Sequence, residues 1–434
     1  MHSQADRIAD LSMLWKQASL VFPYFDQKAL DWDQLYRDYL PLVLSAASDR
    51  EFHLLLARFM NELGDGHTEY LFPRALLDKT GYAPFKLRYV QGAYCLDAVL
   101  PAHEAFIHEE INAINGVPFT DYVAQIRPYS YHTDGCLPAW RVQQMLAFLL
   151  KKNGNTLSTP KGEFSFDLLP ERPQELTSAP VALPDACQKV TQGQLDMRLY
   201  ENNILYVRLD DMLQQSAADE IRAALDRSPA GLILDLRENI GGMTMYGARI
   251  AELLISGQFH ACRKRTRSMT GLALASASQL FQWSEEQIAQ HIAAGYSSRE
   301  EVDRSKSLLT NTHFDHYQDT YGTPDHKAPF DGPCIALTSR RTVSAAEDFI
   351  AMLKTNQRAV ILGTPTRGTT GTPLMQELRC GGWTRICSVG YRLLDGTEFI
   401  GCGLQPDVFF EMTVGDYKRG YDSVLKEALR MLSN

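Results

Sequence analysis

Apolar residues recur at helical spacing through the first part of the chain. Leu11, Leu14, Ala18 and Leu20 form one stripe, and Phe52, Leu55, Leu56, Phe59, Met60 and Leu63 a second. Gly64-Asp65-Gly66 stops the second helix, so His67-Thr68-Glu69-Tyr70 is predicted on a turn or strand entry just past a helix end. Between 83 and 180 the period shortens. Phe85, Leu87 and Tyr89 alternate with polar residues, as do Tyr94, Leu96 and Ala98, and 110–117 reads as a strand entering a tight Asn115-Gly116 turn. A helix is predicted from Trp140 to Leu150, and the stretch 171–191, with three prolines and little periodicity, reads as a linker. Beyond 195 strands (204–209, 231–236, 334–337, 359–362) alternate with helices (217–227, 246–254, 345–353), the pattern of a largely parallel α/β layer. A polar, helical stretch at about 265–328 interrupts it and is read as an insertion over the sheet edge or site. The expected organisation is an N-terminal helical region (1–80), a β-rich module with its linker (81–190) and an α/β core (191–434).

Composition narrows the function classes. The 434 residues carry 43 Lys and Arg against 52 Asp and Glu, a formal charge of −9, which argues against nucleic acid as the main partner. No run approaches the roughly 18 consecutive apolar residues of a membrane span, and the first residues lack the apolar core of a secretory signal. The eight cysteines show no CxxC and no tight pairing, so they read as reduced thiols and the chain is expected to be cytoplasmic.

Three segments could carry chemistry, and each has an ordinary structural explanation when taken alone. Asp235-Leu-Arg-Glu-Asn-Ile-Gly-Gly242 follows an apolar strand; paired glycines there expose backbone N–H groups to an anion, or simply make the turn. Thr342-Val-Ser344-Ala-Ala-Glu347 opens a helix where negative charge is stabilised, but Ser344-x-x-Glu347 is also a capping box. His67, between a glycine turn and Thr68, is an acceptable general base or a satisfied surface residue. His313-x-x-His316 with Asp315 and Asp319 lacks a predictable third metal ligand, and no GxSxG, Walker A or GxGxxG is present.

Read together and in order, these segments resemble the C-terminal processing and tricorn-core family of serine peptidases. Asp235-Leu-Arg-x-Asn-x-Gly-Gly looks like that family's oxyanion segment and Val343-Ser-Ala-Ala-Glu-Asp-Phe its nucleophile segment. Gly363-Thr-Pro-Thr-Arg-Gly368 looks like the turn after the next strand, and Gly401-Cys-Gly-Leu-Gln-Pro-Asp-Val408 the closing strand. Asp65-Gly-His-Thr68 and the Ile111-Asn-Ala-Ile-Asn-Gly116 turn extend the match. The resemblance implies an α/β fold with a crotonase-like (αββ) catalytic core, a helical N-terminal region and a PDZ-like module. It implies a cofactor-free serine peptidase acting on peptides or unfolded protein, possessing no metal site, with assembly into homo-oligomers left open. No lysine occurs between Lys354 and Lys418, and Arg367 cannot serve as a base, so the Ser–Lys dyad of the processing branch is replaced here by the tricorn-like pair Ser344 and His67. Gly241, Gly242 and Ala345 are the implied oxyanion donors. Glu398 is the first choice for the carboxylate orienting His67, with Asp65, Glu69 and Glu347 behind it. The family's serine before the histidine is Gly66 here. Arg340 and Arg341, beside the nucleophile segment, are expected to favour acidic or C-terminal carboxylate groups. Two other readings stay open: a catalytically silent relative that binds peptides or apolar ligands in the same cleft, and an acyl-CoA enzyme on the same architecture.

Overall fold

The structure, a computed structural model, describes all residues except 1, 134, 180, 186–187, 191–192, 268–282, 296–297, 310–313 and 434. Cys187 and His313 therefore lie outside the described residues; the other seven cysteines are free thiols.

The apolar strands beyond 195 build a seven-stranded sheet. In spatial order it runs 408–409, 360–363, 334–338, 231–235, 204–208, 196–200 and 188–189. The first five are mutually parallel, and 196–200 runs antiparallel to both of its neighbours. Gly231–Asp235 and Cys334–Thr338 are buried at every position, as expected of strands covered on both faces. The helices Ala217–Leu225, Thr244–Glu252 and Ala345–Thr355 share one core with the sheet; Ser423–Leu432 packs its apolar face with another. Register aligns Asp235 with Leu337 and Thr338 with Gly363. The loops after these three strands consequently leave the sheet along one edge, where ligands gather in α/β sheets.

The helices Gln4–Val21, Trp32–Ser45 and Asp49–Asn61 bury Leu11, Leu14, Ala18, Phe52, Leu56, Phe59 and Met60 in a core shared with residues 83–168. This region is tied to the far end of the chain by one small sheet. Glu69–Leu71 pairs antiparallel with Trp383–Cys387, Glu69 opposite Arg385, and Trp383–Cys387 pairs in turn with Pro373–Glu377. The predicted Asn115-Gly116 turn joins Ala113–Ile114 to Val117–Pro118, with φ of 52° and 75° at the two turn residues.

Two expectations change. The stretch 265–328 is not simply helical. It contains helices Glu285–Ala293 and Arg299–Leu309, but Cys262–Arg267 is a strand lying between Phe314–Gln318 and Val389–Leu393. Its charged sequence hid it: Arg265 is buried by placing its guanidinium over the Tyr24 and Phe314 rings and pairing with Asp26 at 2.8 Å. The proline-rich stretch 171–191 is likewise more than a linker. Thr177 bridges to Val99, Ala182 to Tyr421, and Gln188–Lys189 adds an edge strand to the main sheet. Among the described residues no helix is long and apolar enough to cross a membrane.

Candidate active site

Ser344 sits between the strand Cys334–Thr338 and the helix Ala345–Thr355 with φ 62° and ψ −128°. An L-residue is strained there by about 1–3 kcal/mol, and such strain persists only where surrounding contacts hold it. Here the Ser344 N–H donates to the carbonyl of Thr369 at 3.0 Å and to Glu347 Oε2 at 3.3 Å. Gly241 packs directly against this serine: a Cβ on it would lie 2.6 Å from the Ser344 Cβ.

His67 reaches this serine across the small sheet. It lies two residues before Glu69, and the adjoining turn is stitched to the C-terminal strand by Cys387 N–H donating to Thr68 Oγ1 (3.0 Å) and Arg385 donating to the Gly66 carbonyl (3.1 Å). The outcome is His67 Nε2 at 3.1 Å from Ser344 Oγ and His67 Nδ1 at 2.7 Å from Thr369 Oγ1. Thr369 Oγ1 donates to Asp65 Oδ1 at 3.3 Å, and Thr68 Oγ1 to Asp65 Oδ2 at 2.6 Å. A carboxylate only accepts, so the Thr369 hydroxyl proton points at Asp65 and its lone pair faces the ring; Nδ1 is then the donor and Nε2 is free to accept from Ser344. All four side chains beyond the serine (Asp65, His67, Thr68 and Thr369) are buried.

Burial, aided by the nearby Arg385 and Arg367 cations, pushes the His67 imidazole down to about 3, so it is neutral at physiological pH. Burial raises the Asp65 carboxyl, while the hydrogen bond from Thr68 and the Lys28 and Arg385 charges pull it back.

Of the carboxylates proposed for His67, Glu398 does not face it. Its side chain is 43% exposed and lies 3.9 Å from Arg392 Nε, on the approach to the Gly401 turn. Glu69 is spent on ion pairs with Arg141 and Arg385. Glu347, fully buried, accepts from Gly368 N–H (2.7 Å), Thr369 N–H (2.9 Å) and the Thr366 hydroxyl, and so clamps the 366–369 turn to the Ser344 backbone, from whose N–H it also accepts. Asp65 is the one whose contact leads to His67, through Thr369.

Sequence reasoning passed over Thr369, reading its turn only for a missing lysine. The signal was Gly66. A Cβ there would lie 2.8 Å from Thr369 Cγ2 and 2.9 Å from Tyr131 Cδ1, so the threonine fills the space that a side chain before His67 would need. Gly66→Ala is expected to displace Thr369 from the ring and lower kcat by about 10-fold or more, the cost of an unpaired buried N–H, while KM changes little; steady-state kinetics on a peptide substrate check this.

Of the three N–H groups implied as oxyanion donors, one is already engaged. The Gly241 N–H is already taken, donating to Asn239 Oδ1 at 2.9 Å, and Asn239 is held by donating to the Leu209 carbonyl. Gly241 therefore serves by its missing side chain. The N–H groups of Gly242 and Ala345 have no acceptor among the described residues. Asp235 is occupied structurally: it accepts from Tyr206 and pairs with Arg237, which also grips Asp422 at 2.7 Å.

Burial lifts the Glu347 carboxyl to about 7. A folded-state value above the unfolded 4.5 means the folded chain holds the proton more tightly. This contribution to stability is complete below about pH 4.5 and is lost as pH rises through about 7. Thermal unfolding from pH 5 to 8 should therefore show a steeper loss of Tm for the natural chain than for Glu347→Gln, which carries no titrating group there.

Ser344 and His67 open into a cavity of about 1010 Å³ between the core and residues 66–183. Its described lining includes Trp140, Tyr131 and Ile240, the last 65% exposed. Among the described residues no group of His, Cys, Asp or Glu could hold a metal ion.

Residues 203–410 match peptidase family S41, and residues 3–61 match the tricorn protease C1 domain. Among curated proteins it is 30% identical over 96 residues to a carboxy-terminal-processing protease of Bartonella bacilliformis, covering 22% of each chain. It is 23% identical over 238 residues to a chloroplastic C-terminal processing peptidase of Tetradesmus obliquus, covering 54% of this chain and 41% of that one. The chain thus spans well under half the length of these curated relatives. Among solved structures it resembles mature CPAF complexed with lactacystin, with a TM-score of 0.74 and 15% identity over 99% of this chain and 98% of that one, a likeness of fold.

Proposed function

We propose that this chain is a serine peptidase of the tricorn-like type. The observation that carries the reading is the 3.1 Å approach of His67 Nε2 to Ser344 Oγ, between residues 277 positions apart in the chain. Ser344 Oγ attacks a peptide carbonyl as His67 takes its proton; the C–N bond breaks as the imidazolium returns that proton to the leaving amine. Water then hydrolyses the acyl-enzyme by the same route. Thr369 and Asp65 hold the imidazole in the tautomer that can accept at Nε2, and the N–H groups of Gly242 and Ala345 receive the oxyanion. Each such donor typically supplies about 2.7–4 kcal/mol to the transition state. The same reading takes 191–434 as a crotonase-like core and 81–190 as a PDZ-like module, supported by the parallel sheet and the Asn115-Gly116 hairpin.

The test is turnover of an unfolded protein such as casein and of a mixed peptide pool, followed by mass spectrometry. New peptide termini with the natural chain and none with Ser344→Ala support the proposal. Intact peptides retained in the cleft of folded natural protein, with no cleavage, would replace it with the binding reading.

A further inference from the structure

The cavity carries a charge opposite to that of the chain. Ten of its described lining residues are Lys or Arg and six are Asp or Glu, in a protein whose formal charge is −9. Most of these charges are spent on each other. Arg88 pairs with Asp97 and Glu238, Arg237 with Asp235 and Asp422, and Arg385 with Glu69. Arg341, expected to meet substrate, pairs with Glu238 at 3.0 Å instead.

Arg367 differs. It is part-buried and lines the cavity with Ser344 and His67, yet its guanidinium makes no hydrogen bond or ion pair among the described residues. Its backbone is fixed from both sides: the N–H donates to the Thr342 carbonyl at 3.0 Å, and the carbonyl accepts from Thr133 Oγ1 at 2.6 Å. The next two N–H groups are held by Glu347, so the residue is presented from a rigid turn. The carboxylates whose charge acts on it are already engaged, Glu69 by two arginines and Glu347 by its turn. A part-buried cation left without an anion in a cleft is costly unless a ligand supplies one.

We propose that Arg367 is the specificity residue that pairs with a carboxylate of the bound peptide, either its terminal α-carboxylate or an Asp or Glu side chain near the scissile bond. This rests on the peptidase reading for its substrate class. Such a carboxylate would also offset the cation that opposes charge on His67, so part of the preference should fall on kcat.

The test uses a short fluorescein-labelled alanine-rich peptide in three forms: a neutral amide, a free C-terminal acid, and an amide with one internal Glu. Binding to Ser344→Ala is read by anisotropy and hydrolysis by the natural chain as kcat/KM. One charged form should be preferred over the neutral amide by about 10- to 100-fold, and which one it is identifies the source of the carboxylate. Arg367→Gln in the same backgrounds should erase the preference, and Arg367→Lys should keep part of it. Equal binding of the three forms, or a preference that survives Arg367→Gln in protein with an unchanged circular dichroism spectrum, would overturn the proposal. Charge preference in binding without any hydrolysis would keep the anion site and overturn the peptidase reading; hydrolysis of all three forms at equal kcat/KM would do the reverse.

Discussion

Ser344→Ala is expected to lower kcat/KM for peptide hydrolysis by on the order of 10⁶-fold, because without the Oγ neither the attack nor the acyl-enzyme exists. Folding should be nearly unaffected, since the contacts that hold this position are made by its backbone. The strained φ and ψ of 62° and −128° sharpen the expectation. Glycine adopts that conformation freely, so Ser344→Gly should be as inactive as Ser344→Ala yet more stable than the natural chain, by about 1–3 kcal/mol less whatever glycine gains in unfolded-state freedom. Thermal unfolding of the three proteins at one pH decides it. A Tm for Ser344→Gly well below that of the natural chain would show that the strain is not there to relieve.

The second large effect belongs to Thr369. Thr369→Val keeps the shape of the side chain and removes the hydroxyl between His67 and Asp65. The His67 Nδ1–H then points at a methyl group, and Asp65 keeps only the Thr68 hydroxyl as a side-chain donor. The imidazolium formed during attack loses its link to the carboxylate, for which a fall in kcat of about 10²-fold is the scale set by hydrogen bonds to charged groups and by loss of the correct tautomer. KM should move little, since Thr369 lies behind the ring and not on the substrate side. Thr369→Ser restores the hydroxyl and should recover most of the rate. Equal losses for valine and serine would assign Thr369 to packing alone. Asp65→Asn should act in the same direction: one of its two hydroxyl donors would then meet an NH₂ group, which also donates, and the chain of donors would lose its direction.

What could be read from the chain followed how local each signal is. Strands such as 231–235 and 334–338 are continuous apolar runs bounded by turn residues, and the structure places them within a residue or so of the reading. Ser344 and His67 each had an ordinary local explanation, a capping serine and a satisfied histidine; only the resemblance of the ordered motifs singled them out, and the structure brings their side chains to 3.1 Å. The strand Cys262–Arg267 was not legible: its buried arginine, Arg265, is laid over Tyr24 and Phe314, rings far away in sequence. Thr369 was hidden for a related reason. A threonine in a turn says nothing until the empty side of Gly66, about 300 residues earlier, is brought against it. Glu398 misled because a carboxylate at nearly the right distance from the closing strand still depends on which way a hairpin end turns, and this one turns toward Arg392 and solvent.

Activation of Ser344 by His67 is read by covalent labelling with a fluorophosphonate probe followed by peptide mapping. The probe needs an activated hydroxyl and an oxyanion site, but no knowledge of the substrate. A single phosphonylated residue, Ser344, is expected in the natural chain, and that adduct should be lost in folded His67→Ala. No adduct on Ser344 in folded natural protein, or equal labelling of His67→Ala, would contradict that activation.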